Sequence, residues 1–402
     1  MQRFYEDEGM NFAVLISLGF AYANITDVGE TLATIERIPE GDIEAWVAEW
    51  TKTADRLASQ ADESLAGGHT VSARTKLLRA STYYDHASAQ SPGTKDPSRY
   101  TSLWEKHRQC WDRAVAIFES PVEKVQIPYE GTTLEGYFFT PPSSTAGADA
   151  TPRPTVILNN GSDGPVISQW SLGGRAAIAR GWNAITFDGP GEGASLHRQR
   201  LSFRADWEKV VTPVVDWLLT RPEVEPTKIA LQGISQGGYW APRAAAFEHR
   251  LAALVADPGV MRVAASWEEH LPEELVQLID DGNQNDFDAL MDANPNERQK
   301  AMLAWRMAPY GTASYYEAYV KAREQTLDAA TVAQIQCPTL VLDPDGEQFW
   351  PGQSQQFFDA LTCEKRLARF TAEDGADWHC EPAAQSLRDE TVFDFLETVF
   401  TE

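Results

Sequence analysis

Before Ser120, apolar residues return every three or four positions, the spacing of a helix with one buried face. Between Asp42 and Ala66 the series Ile43, Trp46, Val47, Trp50, Ala54, Leu57 and Ala61 keeps that step, and Gly67-Gly68 ends it. Val71–Ala89 repeats the pattern through Ala73, Leu77, Leu78, Ala80 and Tyr83-Tyr84, so the two runs predict a helical hairpin, and Tyr100–Phe118 predicts another long helix. No period recurs beyond the hairpin, which argues against a repeat array. Met10–Ile25 is mostly apolar, but Glu6, Asp7 and Glu8 precede it where a signal peptide carries basic residues, and Asn11, Ser17, Tyr22 and Asn24 interrupt it. It reads as a helix packed on the rest of the chain rather than a leader or a membrane span. A cytoplasmic protein is expected, and this helix offers a face on which a second subunit could pack in a homodimer.

After Ser120 the pattern changes. Val122–Pro128 and Leu134–Thr140 read as strands of a hairpin around Glu130-Gly131-Thr132. Pro141–Pro154, rich in Pro, Ser, Ala and Gly, reads as a surface loop. Short apolar runs follow at Thr155–Asn159, Asn183–Phe187, Lys228–Gln232, Ala252–Ala256, Thr339–Leu342 and Arg366–Phe370. Helices are expected among them near Gln169–Arg180, Ala205–Leu219, Gln236–His249 and Ala384–Phe400. Apolar runs without polar alternation, separated by helices, predict an α/β fold with a mostly parallel sheet covered on both faces. Arg262–Val332 breaks the series with charged helical sequence between two core strands. The expected organisation is an N-terminal helical cap domain (1–121), a core in two parts (122–262 and 332–402) and a helical cap insertion (263–331). Loops at the carboxyl ends of the strands carry the site in such sheets, so the insertion is expected to cover it.

Composition narrows the function classes. The 402 residues hold 34 Lys+Arg against 59 Asp+Glu, a formal charge of −25 that repels polyphosphate and disfavours nucleic acid as a partner. Apolar residues make up 43% of the chain, ample for a large core and too many for a disordered protein. Cys110, Cys337, Cys363 and Cys380 are too few and too scattered for a disulfide framework or a zinc site, and are expected as buried free thiols. A small-molecule substrate with neither metal nor organic cofactor is expected, and no membrane partner.

The sharpest chemical signal is Gly233-Ile234-Ser235-Gln236-Gly237, directly after an apolar run and directly before a helical one. Glycines flanking a serine permit the tight strand-to-helix turn of a nucleophile elbow, which holds the hydroxyl out over the sheet. No GxGxxG or GxxxxGK[ST] pattern favours a nucleotide instead. A serine hydroxyl needs a base oriented by an acid, in the chain order Ser, acid, His. Only His249, His270 and His379 follow Ser235, and His379 alone lies in a loop between the last strand and the last helix. For the acid, spacing from the strand favours Glu347; Asp345 and Asp257 remain in reserve, and Asp343 comes too early. The backbone N–H groups of Gln236 and Ser162 are the expected oxyanion donors. Asp163, Tyr239 and Trp350 are candidate substrate contacts, and Trp104, Trp111, Trp240 and Trp267 are candidates for an aromatic lining or for core. Asp188-Gly189-Pro190-Gly191-Glu192-Gly193 reads as a tight turn lining the pocket, since Pro190 and two acids argue against anion binding.

Taken together, MNF…LGF, DGPGEG, GISQGGYWAPRAA, EQFWPGQ and GADWHCEP resemble the α/β-hydrolases, and more closely the group of FrsA-like esterases and 2,6-dihydroxypseudooxynicotine hydrolase. Polyketide-shortening hydrolases of fungi share that layout. The resemblance covers nearly the whole chain and implies an α/β-hydrolase core, Ser235, Glu347 and His379 as a triad, and Ser162 and Gln236 as oxyanion amides. It implies cleavage of an ester, or of a carbon–carbon bond beside a carbonyl, in an aromatic or polyketide substrate. One departure keeps the acid open, because Glu347 stands where many relatives carry Asp. The same triad would serve an acyltransferase, and less readily a peptidase, and a non-catalytic binding module would keep the fold without the machinery.

Overall fold

The computed structural model describes residues 3–142 and 151–401, and in it eight strands form one sheet. They are β1 (Val122–Tyr129), β2 (Thr132–Phe139), β3 (Arg153–Asn159), β4 (Asn183–Phe187), β5 (Val224–Ile234), β6 (Ala253–Asp257), β7 (Thr339–Pro344) and β8 (Lys365–Phe370). Their spatial order is β1-β2-β4-β3-β5-β6-β7-β8, antiparallel across β1, β2 and β4 and parallel from there on. Every residue of β4 and β6 is buried, as expected of uninterrupted apolar runs covered on both faces. Edge strand β1 instead buries Val125, Ile127 and Tyr129 in alternation with exposed Lys124, Gln126 and Pro128. Its hairpin closes on Glu130 (φ 38°) and Gly131 (φ 82°), a left-handed pair that matches the strand twist. The expected loop Pro141–Pro154 falls mostly outside the described residues.

Five helices precede the sheet: α1 (Glu8–Phe20), α2 (Val28–Ile35), α3 (Ile43–Ala66), α4 (Thr70–Gln90) and α5 (Arg99–Val115). Asp42 caps α3, its carboxylate accepting from the Ala45 amide at 2.9 Å. The α3–α4 hairpin closes over Trp46, Trp50 and Tyr83, and the Trp46 indole donates to the His86 carbonyl at 2.9 Å. Periodicity missed α2 because its buried positions are Thr31 and Thr34, which pair through hydroxyls with Ser17 and Thr53 at 2.9 Å, while Val28 and Leu32 face solvent. The apolar face of α1 is buried within this chain through Met10, Val14, Leu15 and Phe20. Among the described residues no helix is long and apolar enough to cross a membrane. All four cysteines are free, but Cys110 alone is buried; the other three retain partial exposure.

Between β6 and β7 the chain forms the short helices Ala265–Glu268, Glu273–Asp280, Gln284–Asp292, Glu297–Met307, Tyr315–Glu324 and Ala329–Val332. The loops that follow β3, β4, β5, β6, β7 and β8 all emerge at the carboxyl edge of the parallel strands, and the candidate residues lie on them.

Candidate active site

Ser235 sits between β5 and the helix Gly237–Ala245, with φ 58° in the left-handed region. A side chain held there is strained, and the surroundings hold it: the Ser235 amide donates to the Asp257 carbonyl at the end of β6, 2.6 Å away. The flanking glycines are needed for space, since a β-carbon on Gly233 would run into the Gly237 carbonyl, and one on Gly237 into the Asn160 carbonyl. The motif therefore lets strand, helix and the loop after β3 converge on one turn.

His379 arrives from the loop between β8 and the helix Gln385–Thr401, and its Nε2 lies 2.9 Å from Ser235 Oγ. Its Nδ1 faces both oxygens of Glu347, at 3.0 and 2.8 Å. An ionised carboxylate only accepts, so Nδ1 carries the ring proton and Nε2 is left to accept from the serine. Glu347 is itself held, because Oε1 accepts from the amides of Phe349 at 2.8 Å and Trp350 at 3.1 Å. Burial works to raise its carboxyl, but the charge and hydrogen bond of His379 and these two amides bring it below its ordinary value. Burial likewise opposes a charged His379, yet Glu347, with smaller contributions from Asp257 and Asp163, carries the imidazole above its ordinary value. Phe349, Trp350 and Phe12 of α1 ring the imidazole, with centroids 4.7, 5.7 and 6.3 Å away.

The loop after β3 folds on Asn160, whose carbonyl oxygen Oδ1 accepts from the Gly161 amide at 2.9 Å and from Gln169 Nε2 at 2.8 Å. That leaves the Ser162 N–H without a hydrogen-bond partner among the described residues, and the Gln236 N–H is equally free. The Gln236 side chain is pinned aside by Gln325 at 2.9 Å. Ser162 and Gln236 both line one cavity, and Ser235 precedes Gln236 at its edge. Its walls come from α4 and α5, from the loops after β3 and β4, and from the segment between β6 and β7.

The remaining candidates separate. Asp163 lines the cavity, 3.5 Å from Arg306 of the helix Glu297–Met307. Tyr239 does not line it: the residue is 1% exposed, packed in the core, and its hydroxyl donates to the Ala205 carbonyl. Trp350 is also absent from the cavity lining; its indole donates to the Val263 carbonyl and its ring lies against His379. Asp345 is exposed and faces Arg369. Asp257 meets the elbow through its backbone, while its carboxyl, pushed up to about 6 by burial, lies among Glu381 and Arg388 rather than on Nδ1. Trp104 and Trp267 line the cavity, whereas Trp111 and Trp240 are core. The turn after β4 lines the cavity as expected, but sequence reasoning missed what organises it. Arg108 of α5, 1% exposed, reaches Asp188 at 2.8 Å, and the same carboxylate accepts from the Ala194 amide. Phe12 and Arg108 touch residues hundreds of positions or a whole domain's length away, and no local spacing marks either.

A sheet of this order, with a serine on the turn after its fifth strand and a histidine after its last, defines an α/β-hydrolase. Residues 40–268, more than half of the chain, match the family described as Esterase FrsA-like. The chain belongs to that family, and it is a hydrolase. It is 34% identical to the hydrolase acrC of Aspergillus aculeatus over 259 residues, which span 61% of this chain and 60% of that protein. To the 20-hydroxy-prefusarin hydrolase of Gibberella moniliformis it is 26% identical, over 100% of this chain and 98% of that protein. The crystal structure of 2,6-dihydroxy-pseudo-oxynicotine hydrolase superposes with a TM-score of 0.73 at 20% identity, covering 95% of each chain.

Proposed function

We propose that this protein is a serine hydrolase that cleaves an ester, or an activated carbon–carbon bond beside a carbonyl, in a bulky aromatic or polyketide-like small molecule. The observation that carries this reading is the unbroken chain from Ser235 Oγ through the His379 ring to Glu347, at 2.9 and 2.8 Å, beside two unpartnered amides. His379 Nε2 takes the hydroxyl proton as Ser235 Oγ attacks the carbonyl carbon. The oxyanion forms between the Ser162 and Gln236 amides. On collapse the leaving group departs with its electron pair and receives the proton from His379. An alcohol leaves an ester; a stabilised carbanion or enol leaves a β-diketone or acylphenol. Water, deprotonated by His379, then attacks the acyl-enzyme; Ser235 Oγ departs and takes the proton back from His379, and Glu347 holds the imidazolium in both halves. The likeness to the 20-hydroxy-prefusarin hydrolase over the full chain supports the substrate class.

A fluorophosphonate probe tests the activated serine. The wild type is expected to be labelled at Ser235, and Ser235→Ala to lose both the adduct and turnover of aryl esters and aryl β-diketones. An unlabelled wild type, or an adduct that survives in Ser235→Ala, defeats the reading.

A further inference from the structure

Asp85 lies on α4, in the wall of the cavity that also holds Ser162 and Gln236. What surface it keeps faces that space, and among the described residues no N–H or O–H donor reaches its carboxyl. Of the other acids at the site, Glu347 is matched by His379, Asp188 by Arg108 and Asp163 by Arg306, while Glu192 has one oxygen on the Gly189 amide and no cation. Those contacts engage both arginines of the lining. Tyr100 and His197, beside Asp85, are hydrogen-bonded to each other at 3.2 Å. Much of the remaining enclosure is aromatic, with Trp104, Trp267, Trp305, Phe203 and Tyr310. A carboxyl in such a wall, without a protein partner, is satisfied there only by water or by a bound ligand. Its placement makes sense when a ligand supplies the missing partner.

We propose that Asp85 sets substrate choice, its carboxyl hydrogen-bonding a carbonyl or enol oxygen of an uncharged, flat, unsaturated substrate held between the aromatic walls. This inference rests on the serine-hydrolase reading and names the kind of molecule that site accepts. Sharing the cavity lining with Asp85 are Tyr100, His107 and Arg108 on α5, Asp163 on the loop after β3 with its partner Arg306, and Asp188, Glu192 and His197 after β4. Burial, helped by the charge of Asp163, pushes the Asp85 carboxyl up to about 8, so at neutral pH it is protonated and can donate. Burial also raises Glu192 well above its ordinary value, and holds His197 below its own. Facing these groups, a carbonyl finds a donor. A carboxylate finds acids and no unpaired cation among the described residues.

The test uses para-nitrophenyl benzoates that differ at the far para position, carrying acetyl, isopropyl, carboxylate or dimethylaminomethyl, each rate normalised to hydroxide. In the wild type the acetyl ester is expected to exceed the near-isosteric isopropyl ester by roughly tenfold in kcat/KM, mostly through KM, about the worth of one hydrogen bond. The carboxylate ester is expected to be the poorest. Asp85→Leu should erase the acetyl preference, and Asp85→Asn, which keeps a donor, should retain it. For the acetyl ester, kcat/KM should fall in the wild type as pH rises through about 8, and that limb should be absent in Asp85→Asn. Where turnover is slow, protection of Ser235 from the fluorophosphonate by the corresponding aryl trifluoromethyl ketones gives the same comparison. An acetyl preference unchanged in Asp85→Leu, or a best substrate that is the cationic or the anionic ester, overturns the proposal. Failure of the wild type to label at Ser235 sinks the serine-hydrolase reading itself, whereas normal labelling with an unchanged preference removes Asp85 alone.

Discussion

At the scale of residues, the proposed chemistry turns on how Glu347 and His379 share charge. Glu347 has its carboxyl lowered and His379 its imidazole raised, so each favours the ionised form of the other. The stability they contribute together is complete between the ordinary carboxyl value of 4.5 and the ordinary imidazole value of 6.5. It is lost on the acid side as pH falls through the lowered Glu347 value, and on the alkaline side as pH rises through the raised His379 value. Activity has the opposite preference, because the base must be neutral; kcat/KM is expected to rise with pH on a limb centred above 6.5. Glu347→Gln removes the charge that raises the imidazole and offers Nδ1 a less suitable partner. That limb should then move to lower pH and kcat should drop by roughly 10²- to 10⁴-fold, measured in a pH series of ester hydrolysis. A limb that stays in place would mean Glu347 does not control the histidine.

Between elements, the cavity wall is tied to the core by one buried ion pair. Arg108 projects from α5 to Asp188 at the end of β4, with Glu135 of β2 3.6 Å away and the Tyr137 ring beneath the guanidinium. Both partners are almost wholly enclosed, at 1% and 3% exposure. Removing the cation leaves a carboxylate without compensation, so Arg108→Leu is expected to cost about 3–5 kcal/mol. Adding Asp188→Asn should recover part of that loss, a coupling readable from urea midpoints in a double-mutant cycle. Additive losses would show that the pair contributes through packing alone.

For the whole molecule, the chain's beginning meets its end. Phe12 of α1 stacks on Trp378 at 6.3 Å and lies beside His379 and Phe349, and Gly19 is so close to the loop after His379 that a β-carbon would overlap the Pro382 carbonyl. Gly19→Ala must therefore push α1 and that loop apart. The expected result is an unchanged far-ultraviolet dichroism spectrum with fluorophosphonate labelling of Ser235 slowed roughly 10- to 100-fold, since small displacements of a base are costly. Labelling at the wild-type rate would separate α1 from the site.

The meeting of Ser235, His379 and Glu347 was legible because each stands on a local signature: glycines around a turn, a loop after the last apolar run, an acid a few residues past a strand. The sheet was legible for a similar reason, since strands buried on both faces leave uninterrupted apolar runs. Short range also explains the failures. α2 buries threonines and so carries no apolar stripe; Tyr239, one helical turn past the elbow, points into the core, because helical phase and not proximity decides its direction. Sequence by itself determined the class of fold, the order of its elements and the residue types able to do the chemistry. Tertiary structure alone decided that the reserve acids Asp345 and Asp257 stay off Nδ1, which tryptophans line the cavity, and that Asp85, Arg108 and Phe12 belong to the site's surroundings. Those contacts join segments far apart in the chain, and their geometry depends on how whole elements pack, which periodicity along one segment does not encode.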